Sequence, residues 1–157
     1  MNLIVACLLL LYCVDPTEIR GKVIKVSDGD TIAVLVGHDS IKVRLEGIDA
    51  PEKVQPFGMQ SKLRLSELVG EKDVRVVKTA DDLYGRSVGT IYIGGMNVNQ
   101  QMVHDGLAWH YKAYSKDPQL NRLEQEARVA GRGLWSDKTP IPPWEFRRER
   151  KRRSVTK

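Results

Sequence analysis

The strongest constraint on the fold is a pair of β-branched runs in residues 20–36, "RGKVIKVSDGDTIAVLV", separated by the short sequence "SDGD". Valine, isoleucine and threonine favour extended backbone, and Asp-Gly is a frequent turn of two-stranded hairpins. Residues 40–48, "SIKVRLEGI", alternate apolar and polar side chains again and predict a third strand. The first third of the chain therefore predicts three successive β-strands.

The rest of the chain adds two strands and about three helices. A helix is predicted over residues 59–69, where Met59, Leu63, Leu65, Leu68 and Val69 recur at helical spacing before Gly70. Further strands are predicted at 72–79 and 87–95, and further helices at 98–106 and 118–131. Five short strands with a helix inserted after the third predict an α+β, mainly β, fold. The leading candidate is a five-stranded Greek-key barrel of the OB-fold type with about three helices.

The length of 157 residues suits one domain with short appendages. We divide the chain into a leader (1–19), a barrel domain (20–136) and a Pro-rich strap with a basic tail (137–157). The net charge of +5 belongs entirely to the last part, since residues 1–136 hold seventeen basic and seventeen acidic side chains. A positive field around the whole domain is therefore excluded as the main recognition device, and any anion site must be local.

The leader contains the apolar run "NLIVACLLLLYCV" (2–14), which is too short for a spanning helix and resembles the hydrophobic part of a secretory signal. No Lys or Arg precedes it and no small-residue cleavage site follows, so a buried strand or a wrongly assigned start is the alternative. The pattern favours a signal segment and a secreted, periplasmic or envelope protein. Both cysteines, Cys7 and Cys13, lie there, so no disulfide framework or thiolate metal site is expected elsewhere. No other segment is expected to cross a membrane.

The C-terminal part has two features. The strap "TPIPPWEF" (139–146) is expected to dock on the domain through Trp144 and Phe146, and the run "RRERKRR" (147–153) is expected to be a loose tail. Such a tail can add salt-sensitive affinity for phosphates, or it can be solvated and without function. The sequence leaves both possibilities open.

Chemically suggestive residues concentrate in four short stretches, "SDGDT" (27–31), "VRLEGIDAPE" (43–52), "DDLYGR" (81–86) and "LAWHYKAY" (107–114). Taken singly, each has an ordinary interpretation as a turn, an exposed loop or a set of core aromatics. In the second stretch, Asp49 and Glu52 flank a turn stiffened by Pro51. Carboxylates placed in this way can share a hard cation such as Ca²⁺, or they can form a solvated salt-bridge cluster.

Together and in this order, "SDGDT", "VRLEGIDAPE", "YGR", "GLAW" and "GRGLW" resemble the staphylococcal nuclease (thermonuclease) family over about residues 20–136. The resemblance implies an OB-fold barrel. It also implies a calcium-dependent phosphodiesterase, an endonuclease that acts on DNA and RNA with little sugar specificity. No stable protein partner is implied, and a monomer is expected.

The resemblance also assigns roles position by position. Asp30 and Asp49 match the family's carboxylate ligands of Ca²⁺, and Ala50 matches a position that supplies a backbone carbonyl. Arg44 and Arg86 match the two phosphate-binding arginines. Glu52 matches the proposed general base, and positioning of a metal-bound water is the alternative role for it. Tyr84 falls where the family has a tyrosine near the nucleotide, and Tyr114, in an aromatic segment that aligns loosely, is a further nucleotide-binding candidate. Leu83 replaces a lysine that contacts a nucleotide phosphate.

Two other classes of function compete with the enzyme. A non-catalytic OB-fold module would bind single-stranded nucleic acid by stacking and basic contacts. An interaction protein would carry the same acids and arginines merely paired on its surface. Loss of catalysis should leave gaps among the charged residues, and none is missing, which favours the enzyme.

Overall fold

The computed structural model describes residues 17–155, so the predicted signal segment lies outside the described residues except for its last three positions. The strands are β1 (Glu18–Val26), β2 (Thr31–Val36), β3 (Asp39–Leu45), β4 (Ile48–Asp49), β5 (Asp73–Asp81), β6 (Ser87–Ile93), β7 (Met96–Asn97) and β8 (Trp109–His110). The helices are α1 (Gly58–Val69), α2 (Val98–His104), α3 (Pro118–Val129) and α4 (Pro143–Val155), with a 3₁₀ turn at Gly133–Ser136. Within residues 17–155 no helix combines the length and apolar character needed to cross a membrane.

Five of the strands form a closed barrel. They pair antiparallel in the order β3-β2-β1-β5-β6, and a parallel pairing of β3 with β6, in which Val43 lies opposite Ser87, closes the sheet on itself. The two-residue strand β7 continues the sheet at β6, and β4 pairs separately with β8. The predicted five-stranded OB-fold barrel is confirmed, and residues 17–155 contain four α-helices where about three were predicted.

Alternation along the strands fills the barrel. The inward side chains of β1, β2, β3, β5 and β6 are buried, and α1 and α2 cover the barrel with their apolar residues; the core includes Val23, Ile32, Val34, Val43, Leu45, Leu65, Val76, Ile91 and Met102. In α1 the buried face is Ser61, Leu65, Leu68 and Val69, at the spacing of one helix side. Met59 and Leu63, which also recur at helical spacing, lie on the opposite side of the helix and are exposed.

The C-terminal segment is more ordered than the sequence indicated. Residues predicted to be a loose tail form α4, which begins at Pro143, a residue well suited to the first helical position. Its arginines, glutamates and lysine are good helix formers. Trp144 docks on the domain, as expected, by stacking on Tyr111 with ring centroids 5.2 Å apart. The helix is therefore fastened to the barrel near its first turn.

Candidate active site

The candidate site lies where the β1–β2 turn, the end of β3 and the short β4 meet. Asp30 directly precedes β2, and its backbone carbonyl accepts a hydrogen bond from Leu45 N–H at 2.8 Å. Its side chain accepts a second bond, from Ala50 N–H at 2.7 Å. These bonds join the "DGDT" turn to the "IDAPE" segment, so two motifs that are separate in sequence form one wall.

Two glycines make this meeting possible. Gly29 lies so close to α1 that a Cβ atom there would collide with the side chain of Ser61. Gly47 has a φ of 74°, a left-handed conformation that favours glycine, and it reverses the chain between β3 and β4. A side chain at Gly47 would also come within 2.8 Å of Leu120. The turn at Gly47 places Asp49 beside Arg44, five residues earlier.

Arg44 lies between two buried carboxylates. Its Nη1 atom is 2.8 Å from Asp30 Oδ2, and its Nη2 atom is 3.1 Å from Asp49 Oδ1. The Asp49 side chain is only 1% exposed and the Arg44 side chain 15%. A guanidinium so enclosed has a fixed orientation, because its planar donors are held by two acceptors.

The negative charge of this cluster exceeds what Arg44 compensates. Burial raises the pKa of Asp30 from its usual range to about 7, and the neighbouring carboxylates of Asp28 and Asp49 act in the same direction. Arg44 and the Ala50 N–H oppose the rise without cancelling it. Since burial disfavours an uncompensated carboxylate, a bound cation would stabilise the ionised form.

The donor chemistry fits a hard cation. Asp30 and Asp49 offer carboxylate oxygens and Ala50 a backbone carbonyl, the ligand types that Ca²⁺ prefers. Among the residues from 17 to 155 there is no group of three or more histidine, cysteine, aspartate or glutamate side chains arranged to hold a metal. The side chains alone are therefore too few for a closed protein cage. Calcium commonly completes its shell of 6–8 oxygens with carbonyls and water, which suits an open site of this kind.

Glu52 lies in the loop after β4, where Gln55 holds the backbone. The Oε1 atom of Gln55 accepts from Glu52 N–H at 3.0 Å, and its Nε2 atom donates to the carbonyl of Ile141 in the strap at 2.8 Å. Gln55 is buried, and no signal in the sequence distinguishes it from a surface loop glutamine. The Glu52 carboxylate itself is partly exposed. It is linked to Asp49 by a residue that the motifs do not contain.

That residue is Arg147 of α4. Its Nη2 atom lies 2.7 Å from Asp49 Oδ2, and its Nη1 atom lies 2.9 Å from Glu52 Oε1 and 3.2 Å from Asp49 Oδ1. Burial opposes the charge of Arg147, but hydrogen bonds to Asp49 and Glu52 outweigh it and raise the pKa of the guanidinium. Nearby, burial and the charge of Asp49 raise the pKa of the Tyr111 hydroxyl. In the sequence Arg147 is only the first residue of a basic run, so it was not predicted.

Arg86 has its backbone close to β3 and an ion-pair partner outside this cluster. It immediately precedes β6, whose first residue, Ser87, pairs with β3 beside Arg44. Its guanidinium forms an ion pair with Asp82 at 2.6 Å and lies 5.6 Å from the ring of Tyr84. Tyr84 and Tyr114 are both exposed, and the ring of Tyr114 packs 4.7 Å from that of Tyr111.

The structure thus brings Asp30, Arg44, Asp49, Ala50 and Glu52 into one cluster and sets Arg86 in the loop just before the adjoining strand β6. The nucleotide-contacting roles of Tyr84 and Tyr114 stay predictions.

Comparison with known proteins identifies relatives of the chain. Residues 42–137 match the family described as staphylococcal nuclease homologue. An uncharacterized endonuclease of Haemophilus influenzae is 44% identical over 155 residues, covering 96% of this chain and 87% of the relative. A micrococcal nuclease of Shigella flexneri is 40% identical over 163 residues, covering 96% and 94%. An uncharacterized endonuclease of Escherichia coli O157:H7 is 48% identical over 131 residues, covering 83% and 86%.

Proposed function

The chain belongs to the family of staphylococcal nuclease homologues, and from this we propose that it is a calcium-dependent nuclease that hydrolyses phosphodiester bonds of DNA and RNA. The observation that carries the proposal is the position of Arg44 between Asp30 and Asp49, with Glu52 joined to the same group through Arg147. A single cluster therefore contains a phosphate-binding guanidinium of fixed orientation, a pair of carboxylates for a cation and a further carboxylate for proton transfer.

A phosphodiester resists attack because it is already an anion and its oxygens gain charge in the transition state. Arg44 can meet that charge without reorganising, since its side chain is held in place before substrate arrives. Arg86 can approach from the neighbouring strand when it exchanges Asp82 for phosphate. Bound to Asp30, Asp49 and the Ala50 carbonyl, calcium would supply Lewis-acid stabilisation of the phosphate oxygens.

Glu52 is the group placed to handle the proton. Its side chain is one-third exposed, so its carboxylate reaches water while its backbone is fixed by Gln55. In this role the carboxylate accepts a proton from the attacking water, a contribution on the order of 10²–10⁴-fold in rate. Orientation of the water without proton transfer remains the alternative role, and Glu52→Gln distinguishes the two, because glutamine can accept a hydrogen bond but not a proton.

The proposal is tested by incubating the purified protein with plasmid DNA and with RNA, in millimolar Ca²⁺ or in excess chelator. We expect both substrates to be cut only with Ca²⁺. Asp49→Asn should reduce cleavage about 100-fold or more, since it removes a charge on which the cation and Arg44 depend. The matched control is Asp39→Asn, an exposed aspartate at the start of β3, which should cut like the wild type.

Two outcomes would contradict the proposal. Intact substrates in Ca²⁺, together with retained binding to single-stranded oligonucleotides, would instead identify a binding module. Undiminished cleavage by Asp49→Asn would show that hydrolysis does not depend on this cluster.

A further inference from the structure

Arg147 occupies the carboxylate oxygens that the proposed cation requires. Its two terminal nitrogens contact both oxygens of Asp49 and one oxygen of Glu52, at 2.7–3.2 Å. Since Arg44 also donates to Asp49 Oδ1, each oxygen of Asp49 already has a guanidinium partner. Asp49 is therefore saturated by charged donors from its own chain.

The guanidinium is held there by anchors outside the charge cluster. Trp144, three residues earlier in α4, stacks on Tyr111 with an angle of 5° between the rings and meets the edge of Trp109 at 5.6 Å. The strap that leads into α4 is tied to the Glu52 loop by the bond from Gln55 to Ile141. These contacts keep the effective concentration of Arg147 at the site high, because its docking is intramolecular.

A cation and two guanidiniums cannot share Asp49 without strong repulsion. A Ca²⁺ ion lies about 2.3–2.6 Å from its oxygen ligands, so it would stand beside any guanidinium that donates to the same oxygen. Arg44 projects from a barrel strand and is 15% exposed, whereas Arg147 projects from the terminal helix and is 43% exposed. Withdrawal returns the Arg147 guanidinium, which is already partly exposed, to water, whereas withdrawal of Arg44 would uncover the buried Asp30, so Arg147 is the one to leave.

We propose that Arg147 is a built-in competitor of the cation, which pairs with Asp49 and Glu52 in the metal-free protein and must withdraw before the cation binds. The inference rests on the proposed function, since it takes the cation site from there. This competition lowers the apparent affinity of the protein for the cation. The apparent affinity equals the affinity of the free ligand set multiplied by the fraction of molecules in which Arg147 is withdrawn. The Trp144 anchor sets that fraction by holding α4 close.

The experiment is a calorimetric titration of Ca²⁺ into the full chain without nucleic acid. Arg147→Gln should bind Ca²⁺ about 5–20-fold more tightly than the wild type, the range expected for loss of a partly exposed, multiply hydrogen-bonded ion pair. The matched control is Arg148→Gln, which removes the same charge from the next, exposed position of α4. It should stay within about twofold of the wild type, because long-range charge effects are screened.

A second variant tests the anchor without changing any charge. Trp144→Ala leaves Arg147 in place but removes the stack on Tyr111, so it should raise the Ca²⁺ affinity by a smaller factor than Arg147→Gln. Circular dichroism and the thermal unfolding midpoint verify that each variant is folded. No substrate is present in these titrations, so the measured Ca²⁺ affinities do not depend on catalytic activity.

Equal or weaker Ca²⁺ binding by Arg147→Gln, with normal binding by the wild type, would overturn the competitor role and leave the cation site intact. An equal gain in Arg147→Gln and Arg148→Gln would also overturn it, since net charge alone would then explain the effect. Absence of binding heat in the wild type and every variant would instead remove the cation from the proposed function, and the inference with it.

Discussion

At the residue scale, the two arginines proposed to hold phosphate lie in different electrostatic surroundings. Arg44 is enclosed between Asp30 and Asp49, whereas Arg86 is partly exposed and has Asp82 as its ion-pair partner. Removal of Arg44 leaves the buried carboxylate of Asp30 without its guanidinium partner and leaves Asp49 with Arg147 alone, which is costly. Removal of Arg86 leaves one partly exposed carboxylate that water can solvate.

We therefore predict that Arg44→Ala and Arg86→Ala both reduce kcat/KM, by about 10²–10³-fold each, but differ in stability. Arg44→Ala should lower the free energy of unfolding by about 3–5 kcal/mol in chelator. Arg86→Ala should lower it by about 1 kcal/mol or less. Urea unfolding and steady-state cleavage measure the two quantities.

The control for both variants is Arg20→Ala, which removes an exposed arginine of β1 whose ion-pair partner is Glu18 and not a residue of the cluster. It should change neither quantity appreciably. If Arg44→Ala proved as stable as Arg86→Ala, the carboxylates around Arg44 would have to be protonated or solvated, and the charge balance described for the cluster would be wrong.

At the scale of elements, a single buried asparagine joins α2 to the barrel strands that carry the site. Asn99 Oδ1 accepts from Ile91 N–H at 3.0 Å, and its Nδ2 atom donates to the carbonyls of Glu46 at 2.9 Å and Gly89 at 3.2 Å. Asn99 is thus hydrogen-bonded to β6 and to Glu46 in the turn after β3. Glu46 lies two residues before Ile48, where β4 begins. No motif in the sequence marks it.

We predict that Asn99→Ala lowers the free energy of unfolding by about 2–4 kcal/mol, since the Ile91 N–H and the Glu46 carbonyl lose their bonds to Asn99, whereas the Gly89 carbonyl keeps its bond from Glu46 N–H. Denaturant unfolding measures the change. Asn121→Ala, at an exposed position of α3, is the matched control and should stay within about 0.5 kcal/mol of the wild type. A loss as small as that of the control would mean that water replaces the side chain at all three partners.

The way the elements are arranged also explains which structural features could be predicted from the sequence. The hairpins depend on local turn chemistry and on alternation within each strand, so the barrel followed from short stretches. Asp30, Arg44, Asp49 and Glu52 lie close together in the chain, and the turns between them decide their meeting. Arg147 is 98 residues from Asp49, and its position depends on the stack of Trp144 on Tyr111. Because α4 is charged on all sides, it has no apolar stripe that would indicate a docking face.

The orientation of α1 has a similar cause. Met59 and Leu63 match helical spacing as well as Leu65 does, and periodicity alone cannot show which side of a short helix faces the barrel. The packing of Gly29 against Ser61 decides it, because that close approach turns the small residue Ser61 inward. The choice thus depends on a contact between distant segments.

At the scale of the whole molecule, the net positive charge is confined to one segment of the chain. All of the excess lies after residue 136, and most of it is carried by α4, whose first turn is fastened beside the candidate site. The helix therefore presents exposed arginines from a fixed starting point next to Asp49 and Glu52. A polyanion bound at the site would meet these arginines, so α4 is expected to extend the substrate-binding surface.

We predict that replacing Arg148, Arg150 and Arg153 together by Gln makes the salt dependence of nucleic-acid binding shallower. Each phosphate contact contributes about 0.7 to the slope of log affinity against log salt for single strands, so a loss of about 1–2 is expected. Binding of a fluorescent oligonucleotide is measured in chelator, which prevents cleavage, between about 50 and 200 mM salt. The control replaces three exposed basic residues of β1, namely Arg20, Lys22 and Lys25, by Gln. A shallower slope in the α4 variant alone places phosphates along the helix, whereas an equal change in both would mean that net charge governs binding wherever it lies.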